Sequence, residues 1–219
     1  MSISGAGAYV GGLIGSYGGN TISSCTVIAD VSSTGTDSSG NSYVGGLIGS
    51  ISGYSPSISD CSIGDSGHIV SISGTGAYVG GLVGKTSNCS FSLTSDVVFA
   101  DVSSTGTDSN GYSYVGGLVG MTDGGSPSID SCSIGDSDHI VSITGKGAYV
   151  GGLAGYIGAN TGQTSPVYSY ANVVGASNTG GAFGFIVNDG KGYKNIYVVG
   201  SAVSYNHLRA HETVLDLVC

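Results

Sequence analysis

The chain has 219 residues and sets 5 Lys+Arg against 14 Asp+Glu, a formal net charge of −9. That balance excludes nucleic acid and an anionic membrane surface as electrostatic partners, and no run of ~18 apolar residues offers membrane insertion. Gly accounts for 42 residues, charged residues for 9% and hydrophobic residues for 40%, with no Trp; Gly alternating with β-branched and aromatic residues points to short strands joined by Gly turns rather than to a linker.

In chain order, the first patterned element is Tyr-Val-Gly-Gly-Leu-Ile-Gly at residues 9–15. The pattern Tyr-Val-Gly-Gly-Leu-x-Gly returns at 43–49, 78–84, 114–120 and 149–155, and a degenerate copy, Asn-Thr-Gly-Gly-Ala-Phe-Gly, at 178–184. The first five start 34, 35, 36 and 35 residues apart. After each motif come a polar turn, an apolar-alternating run such as 21–28 or 57–63, and a second run such as 68–72 or 98–102. These runs alternate with period two, and no window sustains a helical period. We therefore expect about three short strands per coil. A longer period lies on top, because residues 30–49 recur at 101–120 and residues 55–84 at 126–155, both shifted by 71.

Strands that recur at a fixed spacing read as stacked coils, none of which buries its apolar side alone. The sequence thus predicts an all-β parallel β-solenoid (β-helix) over residues 1–202, with ~35 residues per coil and equivalent strands about 4.8 Å apart. A β-propeller is the competing architecture, but three strands are few for a four-stranded blade. Val10 and Leu13, with their copies Val44, Leu47, Val79, Leu82, Val115, Leu118, Val150 and Leu153, are the candidate core. The pairs Gly11–Gly12, Gly45–Gly46, Gly80–Gly81, Gly116–Gly117 and Gly151–Gly152 mark a bend or a close backbone approach that leaves no room for a Cβ.

These Gly-Gly-Leu-Ile/Val-Gly strings resemble the GLUG repeat, over residues 5 to about 200. Ala154 departs from the Ile or Val of the other copies, and the sixth copy keeps only its glycines. The resemblance implies a non-catalytic repeat segment of a bacterial cell-surface or secreted adhesin, with a host-surface or matrix ligand, protein or glycan, as partner. It also admits an accessory region beside the catalytic domain of a secreted immunoglobulin A-cleaving metallopeptidase. It implies no catalytic residue, metal or cofactor in the repeats, and no His-Glu-x-x-His string is present. Uncapped solenoid coils expose strand edges, so end-to-end self-association is expected.

Residues 203–219 differ in kind. They hold the one Arg (Arg209), the one Glu (Glu212), two of four His and no Gly. The string resembles the conceptual translation of a transposon-type sequencing adapter, with Asn206 departing from it. We read 203–219 as not native, as in a metagenomic fragment whose frame ran off a read. Met1 is then a candidate internal methionine, and the missing signal peptide carries no information about compartment.

Other motifs each have a plain reading. Cys25, Cys61 and Cys132 occupy similar places in their repeats, whereas Cys89 sits in a shorter connection. Their spacings fit no zinc pattern. They read as stacked, buried, free thiols, although Cys25 and Cys61, about 4.8 Å apart, could oxidise in a secreted context. His68 with Asp65, and His139 with Asp136, resemble acid–base fragments but read as capped surface turns. Asp30, Asp37, Asp101 and Asp108 invite a calcium reading and equally suit tight turns. Gly84-Lys85-Thr86 misses a phosphate-binding loop because Val79 stands where its first Gly belongs. Thr34-Gly-Thr36 and Thr105-Gly-Thr107 suggest an ice-binding array but occur on alternate repeats only. Asn88-Cys89-Ser90 fits a glycosylation sequon.

Overall fold

Alternation of apolar residues with Ser, Thr and Gly puts every apolar side chain of an extended segment on one face. The computed structural model describes residues 1–158, 166–187 and 194–204. Among these the chain forms strands and no helix. All strand pairs are parallel, each strand lying beside its counterpart one repeat away. The fold is the expected all-β parallel solenoid.

Each complete coil visits five walls. In the second coil these are Asp30–Ser33, Tyr43–Gly45, Ile48–Ser52, Ser57–Ser59 and Ser62–Ile63. The expected three strands per coil are thus five, for two physical reasons. The Gly pair bends the motif into two strands, Tyr9–Gly11 and Ile14–Tyr17 in the first coil. The run 21–28 breaks into Thr21–Ser23 and Thr26–Val27 at Ser24, whose φ of 55° is left-handed. Asp60, Ser95 and Ser131 repeat that corner with φ of 54°, 57° and 54°. Short polar residues tolerate this conformation better than branched ones, and an alternation of period two runs through such a corner without a visible break. The last wall of the fifth coil and the first wall of the sixth fuse into one strand, Val167–Gly175.

The Gly pair works by room rather than by an unusual φ. A Cβ on Gly45 would lie 1.9 Å from the carbonyl oxygen of Ile48, within the same bend. A Cβ on Gly81 would lie 2.0 Å from the carbonyl oxygen of Gly117 in the next coil, and one on Gly46 would lie 2.1 Å from that of Gly81. The bends therefore stack backbone on backbone, and their ladder continues through the corner: Gly46 N–H donates to Gly81 O at 3.1 Å and Leu47 N–H to Leu82 O at 3.0 Å.

Inside, Val44, Val79, Val115, Val150, Leu47, Leu82 and Leu118 are fully buried, with Leu153 and Val10 nearly so. Leu13 departs from the expected core and is 49% exposed. It belongs to the first coil, which has a neighbour on one side only. At the other end, Val203 and Ser204 complete the strand Ala202–Ser204, which pairs with Val173, Val174 and Gly175. Residues 205–219, the remainder of the adapter-like segment, lie outside the described residues.

Replacing Gly81 by Ala is expected to cost about 3 kcal/mol or more in urea unfolding, because backbone must move on both coils. Gly7 has nothing within 4 Å of an added Cβ, and Gly7→Ala should stay within about 0.5 kcal/mol.

Candidate functional site

In Tyr-Val-Gly the Val faces inward, so the Tyr of every coil must face outward. In-register pairing then stacks Tyr9, Tyr43, Tyr78, Tyr114 and Tyr149 into one ladder. Successive ring centroids are 4.7, 5.0, 4.9 and 5.2 Å apart, with interplanar angles of 6°, 2°, 11° and 22°. The outward position of the next wall carries Ser16, Ser50, Lys85, Met121, Tyr156 and Phe185 in register. Lys85 Nζ sits 4.6 Å from the Tyr78 ring centroid, and Tyr156 meets Tyr149 edge-on at 5.4 Å. Contacts between outward side chains of two walls make the Gly-Gly corner re-entrant, and a small apolar cluster forms outside the main core.

Tyr78 and Tyr114 are only 7% exposed there. Burial, aided by the carboxylates of Asp108, Asp123 and Asp37, pushes the Tyr78 phenol up to about 12. Burial also raises Tyr43, Tyr114 and Tyr149 above the ordinary phenol value. Because ring faces pack on ring faces, the ladder gives a sugar ring or a base no flat platform; it presents ring edges and hydroxyls.

Loops on the second and fourth coils buttress this ladder. Asp37 Oδ1 accepts the N–H groups of Ser39 and Asn41 at 2.8 and 2.9 Å, and Tyr43 O–H donates to its Oδ2 at 3.2 Å. Desolvation opposes ionisation of Asp37, but the Asn41 and Ser39 donors outweigh it and hold the carboxyl below its usual value. Asp108 copies the arrangement with Asn110, Tyr112 and Tyr114. Asp30 and Asp101 cap the backbone N–H of Ser71 and Ser142 in the following coil, at 2.8 and 2.7 Å. All four recurring Asp residues thus accept backbone N–H groups, which gives the tight-turn reading its physical content. Among the described residues no three His, Cys, Asp or Glu side chains gather as a metal site.

Asp65 and His68 exchange backbone hydrogen bonds at 3.1 and 3.0 Å and face each other at 3.2 Å through Nδ1. Asp136 and His139 do the same, with Nδ1 at 2.8 Å. The Gly67 N–H, followed by His68, lowers the Asp65 carboxyl; His139 is the main cause at Asp136. Both are surface turns; among the described residues neither imidazole hydrogen-bonds a third residue, and the His139 ring meets Phe99 edge-on at 6.1 Å. Thr86 is fully buried with its hydroxyl unpaired, and Gly84 lies inside the strand Val83–Ser87, so residues 84–86 form no phosphate cradle. Thr34, Thr36, Thr105 and Thr107 fall on the alternate-coil loops. Asn88 is exposed, with a left-handed φ of 51°.

The thiols form a second ladder, with one substitution. Cys25, Cys61 and Cys132 each follow the left-handed corner residue, and Asp96 fills that slot in the third coil. Cys25 is partly exposed, whereas Cys61, Cys89 and Cys132 are buried, and all four are free. Burial pushes the Cys61 thiol up to about 11 and the Cys132 thiol to about 12, and raises Cys89 as well. Asp96 is fully buried, with Oδ1 accepting the Cys61 N–H at 2.9 Å and Oδ2 the Thr94 N–H at 3.1 Å. No cation faces it among the described residues, and desolvation raises its carboxyl to about 6 against those two donors.

The tyrosine ladder and Asp96 are the features that the motif reading overlooked. Tyr opens every full motif, and Asp96 stands 35 residues after Cys61 and 36 before Cys132, so the coil period alone marks both. Compared with known proteins, the chain matches no family model, no curated protein and no solved structure.

The Asp96 carboxyl titrates higher when folded (about 6) than when unfolded (3.8). Its stabilising protonated form is fully present below the unfolded value and is lost as pH rises through 6. Chemical unfolding should therefore show the protein more stable at pH 5 than at pH 7.5, by about 1.4 kcal/mol, and Asp96→Asn should flatten that slope. In the ladder, Tyr78→Phe should be neutral within about 0.5 kcal/mol, since the Tyr78 hydroxyl has no hydrogen bond among the described residues. Tyr43→Phe, which deletes the bond to Asp37, should cost about 1 kcal/mol, and Tyr78→Ala about 3 kcal/mol or more.

Proposed function

We propose that this chain is a non-catalytic, adhesin-like repeat segment of a larger bacterial cell-surface or secreted protein, as its resemblance to GLUG repeats implies. The observation that carries this reading is where the reactive side chains are spent. Asp30, Asp37, Asp65, Asp101, Asp108 and Asp136 all accept backbone N–H groups of their own or the next coil. Those residues build the rod. What the rod offers outward is a repeating surface of hydroxyls, Tyr edges and few charges, which suits contact with a protein or glycan rather than turnover of a substrate. Coils held by their neighbours also extend along one axis by duplication, which suits a structure that must reach away from a cell.

Sequencing the source locus outward from codons 1 and 202 tests this. Further Gly-Gly-Leu repeats, a secretion signal and a surface anchor are the expected result. A His-Glu-x-x-His domain on the same chain would make this an accessory region of a secreted metallopeptidase instead. A native frame that ends at Cys219 with no export or anchoring element would sink both readings.

A further inference from the structure

We infer that Cys25 and Cys61 are an oxidative modification site, at which a small-molecule disulfide converts two stacked thiols into a covalent staple between the first and second coils. The placement follows from the ladder. Ser24 N–H donates to Ser59 O at 3.0 Å and Ser62 N–H to Cys25 O at 2.8 Å, so hydrogen bonds flank the two cysteines on both sides. Thr26 and Ser62, the next residues, are register partners. Each thiol donates to the carbonyl two residues before it, Cys25 Sγ to Ser23 O and Cys61 Sγ to Ser59 O, both at 3.3 Å, so the two sulfurs occupy equivalent places on adjacent coils. Strand spacing of about 4.8 Å falls inside the Cα window for a disulfide.

Partner choice is set by Asp96. Cys61 has two neighbours along this ladder, Cys25 on one side and Asp96 on the other, with Cys132 one slot further away. The carboxyl therefore separates Cys61 from Cys132. Cys89 belongs to a different corner, one residue after Asn88 and its left-handed φ. Of the thiols in the described residues, only Cys25 and Cys61 are adjacent in one ladder.

Exposure sets the order of events. Cys25 is partly exposed and Cys61 is 1% exposed. The Cys25 thiolate attacks the oxidant disulfide, which expels one small thiolate and leaves a mixed disulfide on Cys25. Cys61 then loses its proton to solvent, and its sulfur displaces the second small thiolate from Cys25 Sγ. Two protein thiols are oxidised, and one disulfide is reduced to two thiols. Stacked Cβ atoms must lean together to reach disulfide distance, so the bond carries strain and stays reducible. The inference concerns the coil geometry and does not depend on the surface-protein reading.

The full chain has 5 cysteines, and the probe is glutathione disulfide. With Cys219, which lies outside the described residues, replaced by Ser, incubation at pH 8 should lower the free-thiol count from four to two, and peptide mapping should join Cys25 to Cys61. Dithiothreitol should reverse both. Cys132→Ser should leave the linkage unchanged, and Cys61→Ser should stop at a glutathione adduct on Cys25. A count that stays at four, an adduct on Cys25 that never resolves, or any linkage through Cys132 overturns the site. Asp96→Cys gives Cys61 a second thiol neighbour, so its linkage should divide between the two. An undivided Cys25–Cys61 product would overturn the role of Asp96 in choosing the partner.

Discussion

Backbone packed directly on backbone at the Gly-Gly corner is the contact on which this molecule depends. The oxygen of each second glycine occupies the space a Cβ would take on the glycine of the preceding coil. No side chain mediates that contact, so the coil spacing at the corner is fixed by carbonyl and amide radii. Once it is fixed, the strands on either side have no freedom of register. Val of the motif lands on Val, Leu on Leu, Tyr on Tyr. Burial of the Val and Leu ladders supplies the stabilisation, but the glycines decide which residues meet.

That constraint explains what was legible in the sequence. Residue identity at a fixed period translates into identity of position, so the parallel solenoid, the inward Val and Leu and the crowded Gly pairs could all be read from one chain. The corners at Ser24, Asp60, Ser95 and Ser131 could not. Their φ is set by tertiary stacking, Ser and Asp are ordinary residues in any loop, and the alternation on either side stays in phase. Leu13 was misread for a different reason. Its motif matches the others, but burial is a property of neighbours, and the first coil has one neighbour fewer.

The candidate surface was less legible than the core. A search for chemistry picks out His, Cys and Asp, and here most of the Asp residues are consumed as caps on backbone N–H groups. Tyr draws little notice as the opening letter of a motif, yet stacking turns it into the most continuous feature of the outer face. Asp96 was hidden in the opposite way. It was passed over because it breaks the cysteine pattern, and that break is what buries a carboxyl with two backbone donors but no cation among the described residues, and what isolates Cys132 from the other thiols.

The corner loops of the second and fourth coils show that neighbouring coils are not interchangeable. Ser33 donates to Gly7 O of the coil before it, and Ser42 accepts the Gly76 N–H of the coil after it, both at 2.8 Å. Ser104 and Ser113 make the same two contacts, to Gly76 O and from Gly147 N–H. A long-looped coil is therefore seated between two short-looped ones, like a tongue between two grooves. The array has parity. Insertion or loss of a single coil would set tongue against tongue or groove against groove, whereas a change of two coils restores every seat. The heritable unit of growth is the pair, and lengths that differ by an even number of coils are those that natural variants of this rod can reach without rebuilding a corner.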